Sequence, residues 1–163
     1  MARNDKRVSR GKSTSAARLA AVQGLYEIDL SGASVDSVLM DFVQERWTGR
    51  LADEELAPPD KKKFSALISG VSAEGSRLDD MIKGALDKKQ NFDRLDHLLR
   101  AILRAGVFEI FHQPKVPVRV ILNEYVDLTH AFYSENEPAL VNGILDRLAN
   151  IRRPDELEKR ASE

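Results

Sequence analysis

The chain has 163 residues, enough for one domain with a sizeable core, and no cysteine, which excludes disulfides and thiolate chemistry. Its formal net charge of −1 hides an asymmetry: residues 1–18 carry six Lys or Arg against the single acid Asp5, or +5, which leaves −6 for the remainder. The N-terminus is charged where a signal peptide would be apolar, and no apolar run approaches the roughly 18 residues of a membrane span, so a soluble, cytoplasmic protein is expected.

Residues 1–15 contain one sizeable aliphatic side chain, Val8, among Arg, Lys, Ser, Asn and Gly. Such a composition cannot offset its ordering entropy by burial, so the segment reads as a flexible basic arm. From Ala16 the pattern changes: Leu19, Val22, Leu25, Tyr26 and Leu30 recur at helical spacing, and Ser31-Gly32 stops the helix. A second helix is expected over Val35–Trp47, followed by an acidic loop from 48 to 60 that ends in Pro58-Pro59. Asp60 stands where an N-cap belongs, ahead of Phe64, Leu67, Ile68 and Val71. Gly75-Ser76 should break that third helix, and Leu78, Met81, Ile82, Ala85 and Leu86 give the apolar side of a fourth. Asp93 is expected to cap a fifth, whose stripe from Leu95 to Ile110 is the broadest in the chain and should make it central. Pro114 and Pro117 close that helix and open a sixth, with Val118, Ile121, Leu122, Tyr125, Leu128 and Phe132 on its buried side. A seventh starts near Asn136 and carries Leu140, Val141, Ile144, Leu145, Leu148 and Ile151. No useful stretch alternates apolar and polar residues, so the expectation is an all-α bundle of about seven helices. Its organisation reads as an arm (1–15), one helical domain (16–151) and a frayed charged tail (152–163).

The chemistry that the residues exclude is informative. His97, His112 and His130 never stand at the i, i+4 spacing of a helical metal pair, and no glycine-rich loop cradles a phosphate. The adjacent acids Asp79-Asp80 and Glu54-Glu55 diverge rather than form an acid/base dyad, and no serine sits in a nucleophile elbow. No catalytic residue, metal or cofactor is therefore expected, and the protein is not expected to be an enzyme. The positive signals concern binding. A basic arm entering a helix with Arg18 on its first turn and Tyr26 further on offers cations beside an aromatic face, the parts used for single-stranded RNA. Asn123 and Asn142 stand inside apolar stretches, either as a paired buried contact or as amides on the wet side of their helices.

Ala17-Arg18 with Val22-Gln23-Gly24-Leu25-Tyr26 resembles the opening of the NusB family. Three further blocks agree in order: Phe64, Leu67, Gly70 and Val71; Leu99-Arg100 with Leu103-Arg104 and Glu109-Ile110; and Asn123-Glu124 after Val116-Pro117, followed by Val141-Asn142-Gly143 and Leu145-Asp146. The resemblance implies two three-helix subdomains around a central helix. It also implies a role in transcription antitermination, through the boxA element of ribosomal RNA leaders, the ribosomal protein NusE and a complex on RNA polymerase. Carried over by position, Arg7, Arg10, Lys12, Arg18 and Tyr26 would contact RNA, and the helix from Asp96 to His112 with its neighbours would offer the NusE surface. Asn123, Glu124, Asn142 and Gly143 would form a structural signature, the two amides bonding backbone or each other between the last two helices while Gly143 lets those helices approach. Two positions depart from the family pattern. Leu140 replaces a Phe, which would weaken base stacking by about 1–3 kcal/mol if that ring stacks on RNA. Tyr133 replaces a Gly that would end a helix in the left-handed conformation. Alternative readings are the NusB-like RNA-binding domain of ribosomal RNA cytosine methyltransferases, and a helical adaptor that binds only protein.

Overall fold

A computed structural model describes residues 2–46 and 58–161, and all regular structure among them is helical. The chain divides into two compact units, Met1–Ser72 and Ala73–Glu163.

The first unit contains α1 (Ala2–Ser31), α2 (Val35–Asp41) and nearly all of α3 (Lys61–Ala73). The backbone is helical from Ala2, so the secondary structure does not change at residue 15. Extending an existing helix adds one hydrogen bond per residue and needs no new nucleus. The polar residues near the expected boundary also bond locally: Thr14 and Ser15 hydroxyls donate to the Gly11 carbonyl at 2.9 and 3.0 Å. Ser13 fastens this stretch to the start of α3, its hydroxyl donating to the Pro58 carbonyl (2.7 Å) and its carbonyl accepting from Asp60 N–H (3.0 Å).

Gly32 closes α1 with φ of 71°, the left-handed conformation that glycine adopts without a Cβ penalty. Ser34 caps α2 by accepting from Ser37 N–H, and a π-helical turn over Phe42–Arg46 follows. Trp47 and the expected loop lie outside the described residues, apart from Pro58 to Asp60. Asp60 caps α3 as its position predicts, accepting from Lys63 N–H at 3.0 Å. The buried face of α1 is rotated from the expected one: Ala17, Ala20, Ala21, Val22 and Leu25 are buried, while Tyr26 and Leu30 are exposed. Small side chains let the helices approach closely. A Cβ on Gly24 would stand 2.8 Å from Ile68 Cδ1 and 3.0 Å from Val38 Cγ1. Phe42 and Phe64 fill the rest of this core with ring centroids 4.5 Å apart.

The second unit contains α4 (Gly75–Ala85), α5 (His97–His112), α6 (Val118–His130), α7 (Glu137–Arg152) and α8 (Pro154–Ala161). The break before α4 falls on Glu74 rather than Gly75-Ser76; Gly75 is its first helical residue. Asp93 does not cap α5. It belongs to a 3₁₀ turn, Phe92–Arg94, where its N–H is bound by Asn91. Extended backbone at Leu95 then resets the chain, and Asp96 caps α5 through Leu99 N–H at 2.9 Å. Helix α5 contacts α4, α6 and α7 and is buried almost all round, which makes it the hub of this unit. Within it, the Tyr125 hydroxyl donates to Glu109 Oε2 with both side chains fully buried. The polar pair is thereby matched inside an apolar core.

Helix α6 ends at His130, two residues short of Phe132, which is exposed. Tyr133 N–H donates to the Thr129 carbonyl, and no described residue other than glycine has positive φ. Tyr133 thus follows the helix end without a left-handed backbone, and its hydroxyl bonds Asp96 Oδ1 at 2.6 Å. The expected frayed tail is instead docked through residue 156. Arg153 donates to four backbone carbonyls, those of Glu109, Ile110, Gln113 and Val116. These are acceptors at the end of α5 and in the loop after it. Glu156 Oε2 accepts from Val118 N–H at 3.0 Å, serving α6 in place of a local cap because Pro117 has no side chain that could do so.

Candidate nucleic-acid interface

On α1, Lys12 and Tyr26 are both exposed. At 3.6 residues per turn they fall within about 40° of one another around the helix and about 21 Å apart along it, so a cation and an aromatic ring share one side. Arg18 behaves differently: it is buried, 2% exposed, and is engaged within its surroundings. A buried cation costs several kcal/mol unless paired, so in this conformation its guanidinium is held within the protein instead of facing solvent. The side chains of Arg7 and Arg10 lie outside the described ones, and their backbone belongs to α1.

The second unit carries a cleft of about 560 Å³. Leu95, Leu99, Leu140 and Ile144 wall it, and Gln90, Arg94, Asn136 and Arg147 add polar groups. The segment before α5 and the start of α7 bring these residues together. Arg147 is partly committed, donating to the Ala85 carbonyl. Asn136 is exposed and makes no side-chain bond to the helix it precedes, and Glu137 Oε2 is buried without a hydrogen-bond partner. The cleft therefore combines an aliphatic wall with groups able to hydrogen-bond a planar polar ligand. Leu140 contributes part of that wall, so the position departing from the family pattern supplies aliphatic contact rather than a ring.

The expected amide pair is not formed. Asn123 and Asn142 are both exposed, and no hydrogen bond joins them among the described residues. Each sits on the wet side of an amphipathic helix, where an amide bonds water and needs no protein partner. Gly143 does not mediate close helix packing: a Cβ there would meet nothing within 4 Å, and the residue lines the cleft. Glu124 is half-buried and engaged. In the second unit the glycine that does permit close packing is Gly106, which periodicity did not single out because a mid-helix glycine reads only as a weak helix former.

No helix among the described residues is long and apolar enough to cross a membrane. A profile of the NusB family matches residues 15–150. The chain is 43% identical to a transcription antitermination protein NusB of Rhodospirillum rubrum, over 92% of this chain and 90% of that protein. It is 42% identical to the protein of that name in Rhizobium rhizogenes, over 90% and 91% of the two chains. Its fold is similar to the solved structure of T. maritima NusB, with a TM-score of 0.72 at 24% identity, covering 89% of this chain and 96% of that one.

Proposed function

The chain belongs to the NusB family, and on that premise we propose that it is a cytoplasmic transcription antitermination factor. In this reading it binds boxA-type single-stranded RNA of ribosomal RNA leaders together with NusE, within a complex on RNA polymerase. The similarity to an antitermination protein along 92% of the chain carries the reading. In this reading Arg7, Arg10, Lys12 and Tyr26 contact RNA, and Arg18, assigned to the same role by position, is buried in this conformation. Lys12 and Tyr26, both exposed on one side of α1, support the part of this assignment that concerns them.

If the arm neutralises about four phosphates, RNA affinity should fall roughly fiftyfold between 50 and 200 mM salt. Binding so sensitive to salt gains from a second protein that enlarges the RNA surface, so the heterodimer with NusE should bind RNA more tightly than either protein alone. The test is a gel-shift of a boxA-like strand against a scrambled strand, with and without NusE, for the full chain and a variant lacking residues 1–14. Selective, NusE-enhanced retention that depends on the arm is the expected result. Equal retention of both strands overturns the boxA reading, and affinity unchanged without the arm, with NusE binding intact, overturns the role of the arm and favours the adaptor.

A further inference from the structure

Three cations surround the Phe92 ring. Lys83 Nζ lies 5.2 Å from its centroid, Arg100 Cζ 5.0 Å and Arg104 Cζ 6.0 Å. Arg104 is neutralised by a bidentate pair with Asp79, at 2.6 and 3.0 Å. The other two are not. Arg100 donates one N–H to the Asp93 carbonyl (2.8 Å), and its Nε is buried without a partner. Asp96, one turn earlier on the chain, has its Oδ1 occupied by Leu99 N–H and the Tyr133 hydroxyl. Lys83 is exposed, and neither Asp80 nor Asp87 is paired with it among the described residues. The same 3₁₀ turn that supplies Phe92 also supplies Arg94, an exposed cation on the rim of the cleft with no carboxylate partner among the described residues.

Three cations that form no salt bridge among the described residues thus flank one turn in a part of the chain whose formal charge is negative. Bringing like charges to one locus is unfavourable unless an anion offsets them, and a partly buried guanidinium is screened less by salt than a free surface one. Phe92 itself is 6% exposed, so the ring cannot stack on a base; it holds the cations in place. A compact anion suits one half-buried guanidinium, one exposed guanidinium and one exposed ammonium, and phosphate has that chemistry.

We infer that Lys83, Arg94 and Arg100 form a second phosphate-contacting locus, beside the cleft of the second unit, for the sugar-phosphate backbone of a bound single strand. The inference rests on the RNA-binding reading above and adds a site to it.

The test uses the full chain without NusE and the variant Lys83→Gln/Arg94→Gln, whose two positions are exposed and lie outside the core. RNA affinity is measured across a salt series, with melting temperature as the control for folding. A loss of about 0.7 in log–log slope per residue, about 1.4 in all, is expected. Arg100→Gln, compared with Arg100→Lys, adds the third position. Loss in the Gln variant with retention in the Lys variant supports a charge contact. An unaltered slope in the double variant, with wild-type binding intact, overturns this inference alone. A wild-type chain that retains no strand overturns both this inference and the functional reading. Titration with inorganic phosphate separates the sources of the chemistry: saturable binding lost in the double variant assigns the locus to free phosphate, and no saturation assigns it to the polymer backbone. Weaker NusE binding with unchanged RNA affinity would make the locus an acidic-protein surface and overturn the inference.

Discussion

Gly106 on α5 and Leu145 on α7 are packed so closely that a Cβ on the glycine would stand 2.9 Å from both Leu145 δ-carbons, with Tyr125 Cδ2 at 3.4 Å. Real Cβ contacts are not that short, so Gly106→Ala forces the Leu145 side chain or a helix to shift. Overpacking of this kind costs about 1–3 kcal/mol, against up to about 1 kcal/mol of helix propensity gained from removing a glycine. A net loss of about 1 kcal/mol in chemical denaturation is expected. Gly143→Ala, with open space at the Cβ, should gain up to about 1 kcal/mol. Loss of stability in Gly143→Ala would contradict the packing described.

Arg153 satisfies four carbonyls from a side chain 9% exposed. At about 1 kcal/mol net for each hydrogen bond, Arg153→Ala should cost about 3 kcal/mol. Arg153→Lys should recover little, because a single ammonium cannot reproduce the guanidinium fork. A Lys variant as stable as wild type would show that charge alone, not the fan of bonds, holds the end of α5.

Asn142→Leu is expected to leave melting within about 0.5 kcal/mol of wild type, since the amide is exposed on α7. The sequence reading expects the opposite, a loss of stability from a broken amide contact. A large drop in melting temperature would restore that contact. Native melting with weaker RNA binding would place Asn142 on the ligand-facing side.

Tyr133 has a raised pKa: burial disfavours the phenolate first, and the hydrogen bond to Asp96, with the negative charges of Asp96 and Glu137, adds to this. The folded protein then holds the phenolic proton more tightly than the unfolded chain. The resulting stabilisation is complete below the ordinary phenol pKa of 10.0 and declines as pH rises above it. Tyr133→Phe should flatten the alkaline part of the stability–pH curve. Identical slopes for the two proteins above pH 10 would remove Tyr133 as the source.

Much of the fold was legible because it depends on local rules. Asp60 before an apolar stripe gives a cap, Gly32 gives a left-handed stop, and the stripe from Leu99 to Ile110 is dense enough to mark α5 as the hub. The site was legible only in outline. Periodicity places Tyr26 on the apolar face of α1, but alanines carry the packing there and leave the ring exposed. Arg18 and Arg94 are chemically alike in sequence; one is buried and engaged, while the other rims a cleft.

The sequence by itself determined the helical class, most helix positions and, through ordered motif blocks, the family, since each depends on residues close together in the chain. Tertiary structure alone decided which polar groups are committed. The four carbonyls held by Arg153 and the Asp96 carboxylate shared by a helix cap and Tyr133 involve partners distant in sequence. The net charge of a side chain is written in its residue type, but whether that charge is spent inside the fold or left for a ligand depends on which groups folding brings beside it.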